Sequence, residues 1–280
     1  MKKELSAKQI AQRLKNLNRV NPYYKIYSKA IDAINSEFFT TQLARQGLLA
    51  IREKCKRKDA SIKYCIQIPN TEGNTIKQER RKSHIVEILK KTIRHDLYAA
   101  SINNLVSITE QYMSELVQTV LKEHPQKLSI NITDENTDKK ADTTIPVSLV
   151  LSASSISEIV DSLIIKKISK LFYAAPEHYF AYFTKIIDIK IDQSLINQYI
   201  EIKATRDLLI HNKGKVNDIY IRKCKENARI TDTKQNIPLS EEYYTKSASA
   251  MKKIIRIVHE KASRKQLKLT KSKDIFLSNY

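Results

Sequence analysis

The sequence predicts an all-α protein, an up-and-down helical bundle, and three observations carry that expectation. Apolar residues recur at three- and four-residue spacing through most of the chain, as one buried stripe per helix requires. From His84 to His124 they do so for about forty residues without Gly or Pro. The other periodic segments are separated by turn-forming or polar stretches, as the connections of an antiparallel bundle would be.

In chain order, residues 5–19 and 28–54 read as helices. The second carries Ile31, Ile34 and Phe38, then Leu43, Leu48, Leu49 and Ile51, and Asn21-Pro22 breaks the chain ahead of it. Residues 61–68 alternate as a strand does, and Pro69 to Asn74 supply a turn, so a small β-hairpin is open here. Residues 75–84 are polar and basic, which suggests a domain boundary. The 84–124 run holds one long helix or two abutting ones, and Pro125 ends it. A polar loop is expected over 126–145. A helix follows over 154–169, capped by a serine with Glu158 behind it. Residues 171–183 form an aromatic-rich connector, and helices are expected over 193–212 and 241–266. The implied organisation is an N-terminal, mostly helical region (1–80), a helical domain (85–265) and a basic tail (266–280).

Charge points to the class of partner. Fifty Lys and Arg against thirty Asp and Glu leave +20 at pH 7. Such an excess attracts polyanions, nucleic acid first and an anionic membrane surface second, although a Lys-rich proteome would produce it as well. No apolar run reaches the length of about eighteen residues that a membrane span needs, and the first residues lead into an amphipathic helix. A cytoplasmic protein without a membrane partner is therefore expected. Cys55, Cys65 and Cys224 cannot all pair and show no Cys-x-x-Cys spacing, so neither a disulfide framework nor a zinc knuckle is expected. Gly47, Gly73 and Gly214 are the only glycines. Phosphate-cradling loops need several close together, so no nucleotide cofactor is expected.

The segment richest in chemistry is Glu201-Ile-Lys-Ala-Thr-Arg206-Asp207-Leu-Leu-Ile-His211-Asn212-Lys-Gly214, with Tyr220 downstream. It resembles the signature of the HEPN superfamily of helical nucleases, toxins and prokaryotic immune effectors. That signature is Arg, usually a polar residue, a short mostly apolar spacer, then His. Arg206, Asp207, Leu208-Leu209-Ile210 and His211 fill those places in order, and Glu201, Asn212 and Tyr220 look like the flanking residues of the larger bacterial members. The resemblance covers roughly 85–265, where it implies a four- or five-helix bundle. It also implies a metal-independent endoribonuclease, a toxin or anti-phage abortive-infection effector, working as a homodimer with a composite active site. An antitoxin or sensor partner belongs to the same expectation.

The residue types suit that chemistry. RNA is cut without a metal when its 2′-hydroxyl attacks the adjacent phosphorus, which requires a base, an acid and a cation for the crowded phosphorane. Histidine titrates near neutrality and serves either proton-transfer role. Arginine stays charged and grips two phosphate oxygens. Arg206 and His211 are thus the catalytic candidates, although they stand about 140° apart on an ideal helix. Only arginine's reach, or a loosened helix near Gly214, would bring both to one phosphate. Asp207 lies one turn from His211 and could orient the imidazole. Gly214 suits the positive-φ position after the helix.

Each residue has a plainer role as well. Arg206 could pair with Glu201 or Asp207, His211 could sit at a helix end near free carbonyls, and Asn212 could cap. Glu201 and Tyr220 read better as structural than as catalytic. Arg94-His95-Asp96 reads as an exposed polar patch, and His84, His124, His178 and His259 have no ligand-like spacing, so no metal site is expected. The aromatic cluster of 172–183 reads as core packing ahead of base stacking. The basic run from Lys252 to Lys273, with Lys261, Arg264, Lys265 and Lys268 foremost, would track a phosphate backbone. The alternative to a nuclease is a catalytically inactive HEPN scaffold or RNA-binding module. A DNA-binding regulator is less apt, since no helix-turn-helix pattern stands out.

Overall fold

The computed structural model describes residues 21–59, 61–132 and 145–266, the last three by backbone alone. It is mostly helical, with one two-stranded antiparallel sheet among the described residues. Helix α1 spans Pro22–Arg57 and starts six residues before the expected 28–54, at the break itself: Asn21 Oδ1 accepts from the backbone N–H groups of Tyr23 and Tyr24, and Pro22 occupies the first turn. Strands β1 (Lys63–Pro69) and β2 (Thr75–Arg81) pair about the turn at Gly73, whose φ is +82°. The hairpin is therefore real, and its second strand occupies most of the 75–84 stretch expected to be a boundary.

Helices α2 (Lys82–Lys91) and α3 (Leu97–Glu123) are joined without a loop by a π turn, Thr92–Asp96. The Leu97 N–H donates to the Thr92 carbonyl five residues back, the signature of one extra residue in the turn. Pro125 ends α3 and opens a short 3-10 turn to Ser129. A short helix α4 (Val147–Ser152) precedes α5 (Ile156–Tyr173). Ser155 caps α5 by accepting from the Glu158 N–H, while the Glu158 carboxylate accepts from the Ser154 N–H. Helix α6 (Pro176–Ile187) corrects the connector reading: most of the aromatic segment is helical, starting at a proline suited to a first turn. Its Tyr179, Phe180, Tyr182 and Phe183 are buried, as the core-packing reading expected. Helices α7 (Gln193–His211), α8 (Asp218–Cys224) and α9 (Glu241–Gln266) complete the described chain.

The core gathers around α3, which packs against α1, α5, α7 and α9. Its Ile102, Leu105, Val106, Met113, Leu116, Val117, Val120 and Leu121 are buried, and Tyr112 donates to the Ile255 carbonyl of α9. Tyr23, Ala30 and Ile34 of α1 belong to the same cluster. The described part of the 1–80 region is thus built into the bundle rather than appended to it. No helix among the described residues is long and apolar enough to cross a membrane. The expected helix over 5–19, much of the 126–145 loop and nearly all of the 266–280 tail lie outside the described residues.

His259 of α9 is buried against Tyr27, with the rings stacked at 4.2 Å, and its Nδ1 lies 3.2 Å from the Ser263 hydroxyl. Burial pushes its pKa down to about 4, against a smaller opposing effect of Glu260. The unfolded chain therefore takes up this proton first as pH falls. Stability associated with His259 is complete above the unfolded pKa near 6.5 and drains away as pH drops towards 4, by at most about 3 kcal/mol. Urea midpoints measured between pH 7.5 and 4.5 should fall, and His259→Phe should flatten that slope.

Candidate functional site

Helix α7 carries the segment of interest, and what holds its end is local. The helix is regular through His211: the Asn212 N–H donates to the Leu208 carbonyl at 2.9 Å. Gly214 donates to the same carbonyl, with φ of +77°, and Lys213 before it is also left-handed at +52°. That is the glycine stop expected after the helix. The chain leaving it is pinned by Val216 N–H to the Gln235 carbonyl and Ile237 N–H to the Gly214 carbonyl. Beneath it Ala204, Leu208, Val216, Tyr220, Cys224 and Ile237 form a small second core. The helix is therefore not loosened near Gly214, and Arg206 and His211 keep to different faces of α7.

Arg206 is mostly shielded, with its side chain 18% exposed. Its NH2 meets Glu110 Oε2 of α3 at 3.1 Å and its NH1 meets Asp207 Oδ1 at 3.4 Å, while Nε is buried without a partner. Lys203, one turn earlier, pairs with the other Glu110 oxygen. Glu110 was not singled out in the sequence, where it is one polar position on an apolar helix. Asp207 pairs with Arg206 at 3.4 Å, the plainer role open to both residues, and with Lys223 at 3.1 Å. His211 stands exposed on the last turn. Asn212 donates from Nδ2 to the Lys215 carbonyl at 2.6 Å and so acts within its own turn.

Glu201 and Tyr220 take the structural role. Glu201 is 6% exposed, and its Oε1 accepts from Thr205 Oγ1, Tyr220 OH and Arg229 Nε at 2.8 to 2.9 Å. Its Oε2 accepts from Tyr243 OH at 2.9 Å. Arg229 stacks on the Tyr243 ring, 3.6 Å from its centroid, and donates to Thr205 and the Pro238 carbonyl. Burial and the Glu201 charge raise the Tyr220 and Tyr243 hydroxyls well above the usual tyrosine range and push the Cys224 thiol up to about 12. Glu201, Arg229 and Tyr243 also line an open pocket of about 370 Å³ with Ser194, Gln198 and Lys246. Nothing in the sequence marked Arg229, which lies in a polar stretch between helices.

The basic run stands elsewhere. Helices α7 and α9 are antiparallel, with Tyr243 opposite Glu201 and Lys253 near Asp192. Lys261 is exposed beyond the start of α7, at the end opposite His211. The side chains of Arg264 and Lys265, and all of Lys268, lie outside the described residues. Comparison with protein-family models, curated proteins and solved structures finds no match to this chain.

A buried ion pair that loses one partner leaves the other charge without water. Arg229→Ala should therefore cost about 3–5 kcal/mol, seen as a large drop in the urea midpoint. A change below about 0.5 kcal/mol, ordinary for a surface substitution, would mean that Glu201 is solvated in solution.

Proposed function

We propose that this protein is a metal-independent endoribonuclease of the HEPN type, which cuts RNA by attack of the substrate's own 2′-hydroxyl. The observation carrying this reading is the placement of the Arg206–His211 segment. It lies on the last turns of a bundle helix, with His211 open to solvent and Arg206 held in place by Glu110 and Asp207. Arg206 supplies the fixed cation for the phosphorane. His211 is a proton carrier at the helix end. The net charge of +20 supplies long-range attraction for the substrate. One chain offers a single Arg206/His211 set, so the working form is a homodimer with the two α7 ends facing across a two-fold axis. A toxin or abortive-infection effector restrained by an antitoxin or sensor partner is the biological setting that suits such an enzyme.

One observation favours a second reading. Two carboxylates already engage the Arg206 guanidinium, and a phosphate must compete with them. A catalytically silent RNA-binding scaffold of the same fold would tolerate that arrangement indefinitely.

Cleavage separates the two. Purified protein incubated with RNA in EDTA should yield 2′,3′-cyclic phosphate and 5′-hydroxyl ends. His211→Ala should lower the rate about 10²- to 10⁴-fold while leaving the melting temperature unchanged. Arg206→Ala should act likewise, and Arg206→Lys should rescue poorly, since a point charge cannot span two phosphate oxygens. Binding without cleavage would establish the scaffold instead.

A further inference from the structure

A second histidine reaches the same end of α7. His95 belongs to the π turn, where its Nδ1 lies 3.0 Å from Asp96 Oδ1. Asp96 also holds Lys91 at 3.3 Å. Partial burial works against the Asp96 carboxylate, yet His95 and Lys91 together hold it below the usual range. A charged carboxylate on one ring nitrogen fixes the ring and leaves the other to act, the division of labour of an Asp–His pair.

That other nitrogen faces the terminal turn. A Cβ added to Gly214 would lie 3.8 Å from His95 Nε2 and 3.5 Å from Leu209 Cδ2. The bare glycine backbone therefore borders the Nε2 edge of the ring. The His95 and Asp96 side chains are 37% and 39% exposed, so a ligand can reach them. Arg94, the chain neighbour of His95, and Lys213 and Lys215, the chain neighbours of Gly214, are exposed.

Projection down α7 places the groups. At about 100° per residue, Leu209 lies about 60° to one side of Arg206 and His211 about 140° to the other. His95 Nε2 and Leu209 Cδ2 both border the Cβ position of Gly214. The Leu209 side and His211 therefore lie about 160° apart around the helix, and a phosphate held between the two rings takes them from different protomers of the dimer proposed above. In-line displacement at phosphorus asks for two proton carriers, because the attacking and leaving oxygens lie on opposite sides of the reacting atom.

We propose that His95, positioned by Asp96, is the second proton-transfer residue of the RNA-cleaving site. This rests on the nuclease reading above and adds a second proton carrier to each half of the dimer's site. One neutral imidazole takes the 2′-hydroxyl proton as the O2′–P bond forms. The other, protonated, gives its proton to O5′ as the P–O5′ bond breaks. The products are a 2′,3′-cyclic phosphate and a 5′-hydroxyl. The two rings have then exchanged protonation states, and proton exchange with water restores them.

The test is the pH profile of kcat/KM for RNA cleavage in EDTA, measured for wild type, His95→Gln, Asp96→Asn and His211→Ala. His95→Gln should lower the rate about 10²- to 10⁴-fold and remove one limb of a bell-shaped profile, with His211→Ala removing the other. Asp96→Asn keeps the shape of the side chain, so it should retain both limbs and displace the one belonging to His95. Melting temperatures recorded alongside should match wild type within about 2 °C, as for partly exposed positions. An active wild type with an unchanged profile in His95→Gln would overturn this inference and leave the nuclease reading standing. A folded wild type that cleaves no RNA would overturn both.

Discussion

Glu201 is a carboxylate in the middle of a helix with almost no water, and the end of the bundle around α7 is organised by its need for donors. Four side chains from four places in the chain meet it: Thr205 from its own helix, Tyr220 from α8, Arg229 from the following loop and Tyr243 from α9. A buried charge is tolerable only when its lone pairs are satisfied, so these donors are held to one arrangement. That arrangement ties α8, the loop carrying Arg229 and the start of α9 to α7. The turn after His211 is pinned by backbone bonds to the same loop. A polar hub of this kind contributes less through its own stability than through the uniqueness of the geometry it permits.

Much of the fold was legible because it rests on short-range rules. The buried stripe of α3, the serine cap of α5 and the glycine stop after α7 each follow from a few neighbouring residues. The aromatic segment of 171–183 reads as a connector because it ends partway along α6: the stripe of Tyr179, Phe180, Phe183 and Ile187, with Glu177, Thr184 and Lys185 exposed opposite it, shows its helical period only when followed to Ile187. Residues 75–84 looked like a boundary because β2 is polar on both faces and gains its partner from β1 rather than from the core.

The candidate site was legible in its residue types and less so in their partners. Arg206 and His211 stand on the last turns of the helix that the periodicity predicts. The groups that decide their behaviour come from far along the chain: Glu110 is 96 residues from Arg206, and His95 meets Gly214 only through the packing of two helices. Asp207 shows the same limit. Helical spacing allowed it to serve His211, and Lys223 on α8 claimed it. Sequence spacing ranks neighbours within an element and is silent on competitors from outside it.

The π turn ahead of α3 shows in the spacing of the buried side chains on either side of it. Down α2 and α3 the buried side chains Leu89, Ile93, Tyr98 and Ile102 advance by four, then five, then four residues. The step of five falls where the hydrogen bond also spans five. A single residue inserted into an ordinary helix would leave such a mark, because the widened turn absorbs the extra length and the stripe continues in phase. The bundle gains one more outward position between two inward ones, and the outward face there carries the His95–Asp96 pair. Removing one residue from this turn would let the stripe run on in even steps of four, with a bundle that packs as before and one fewer side chain turned towards the end of α7.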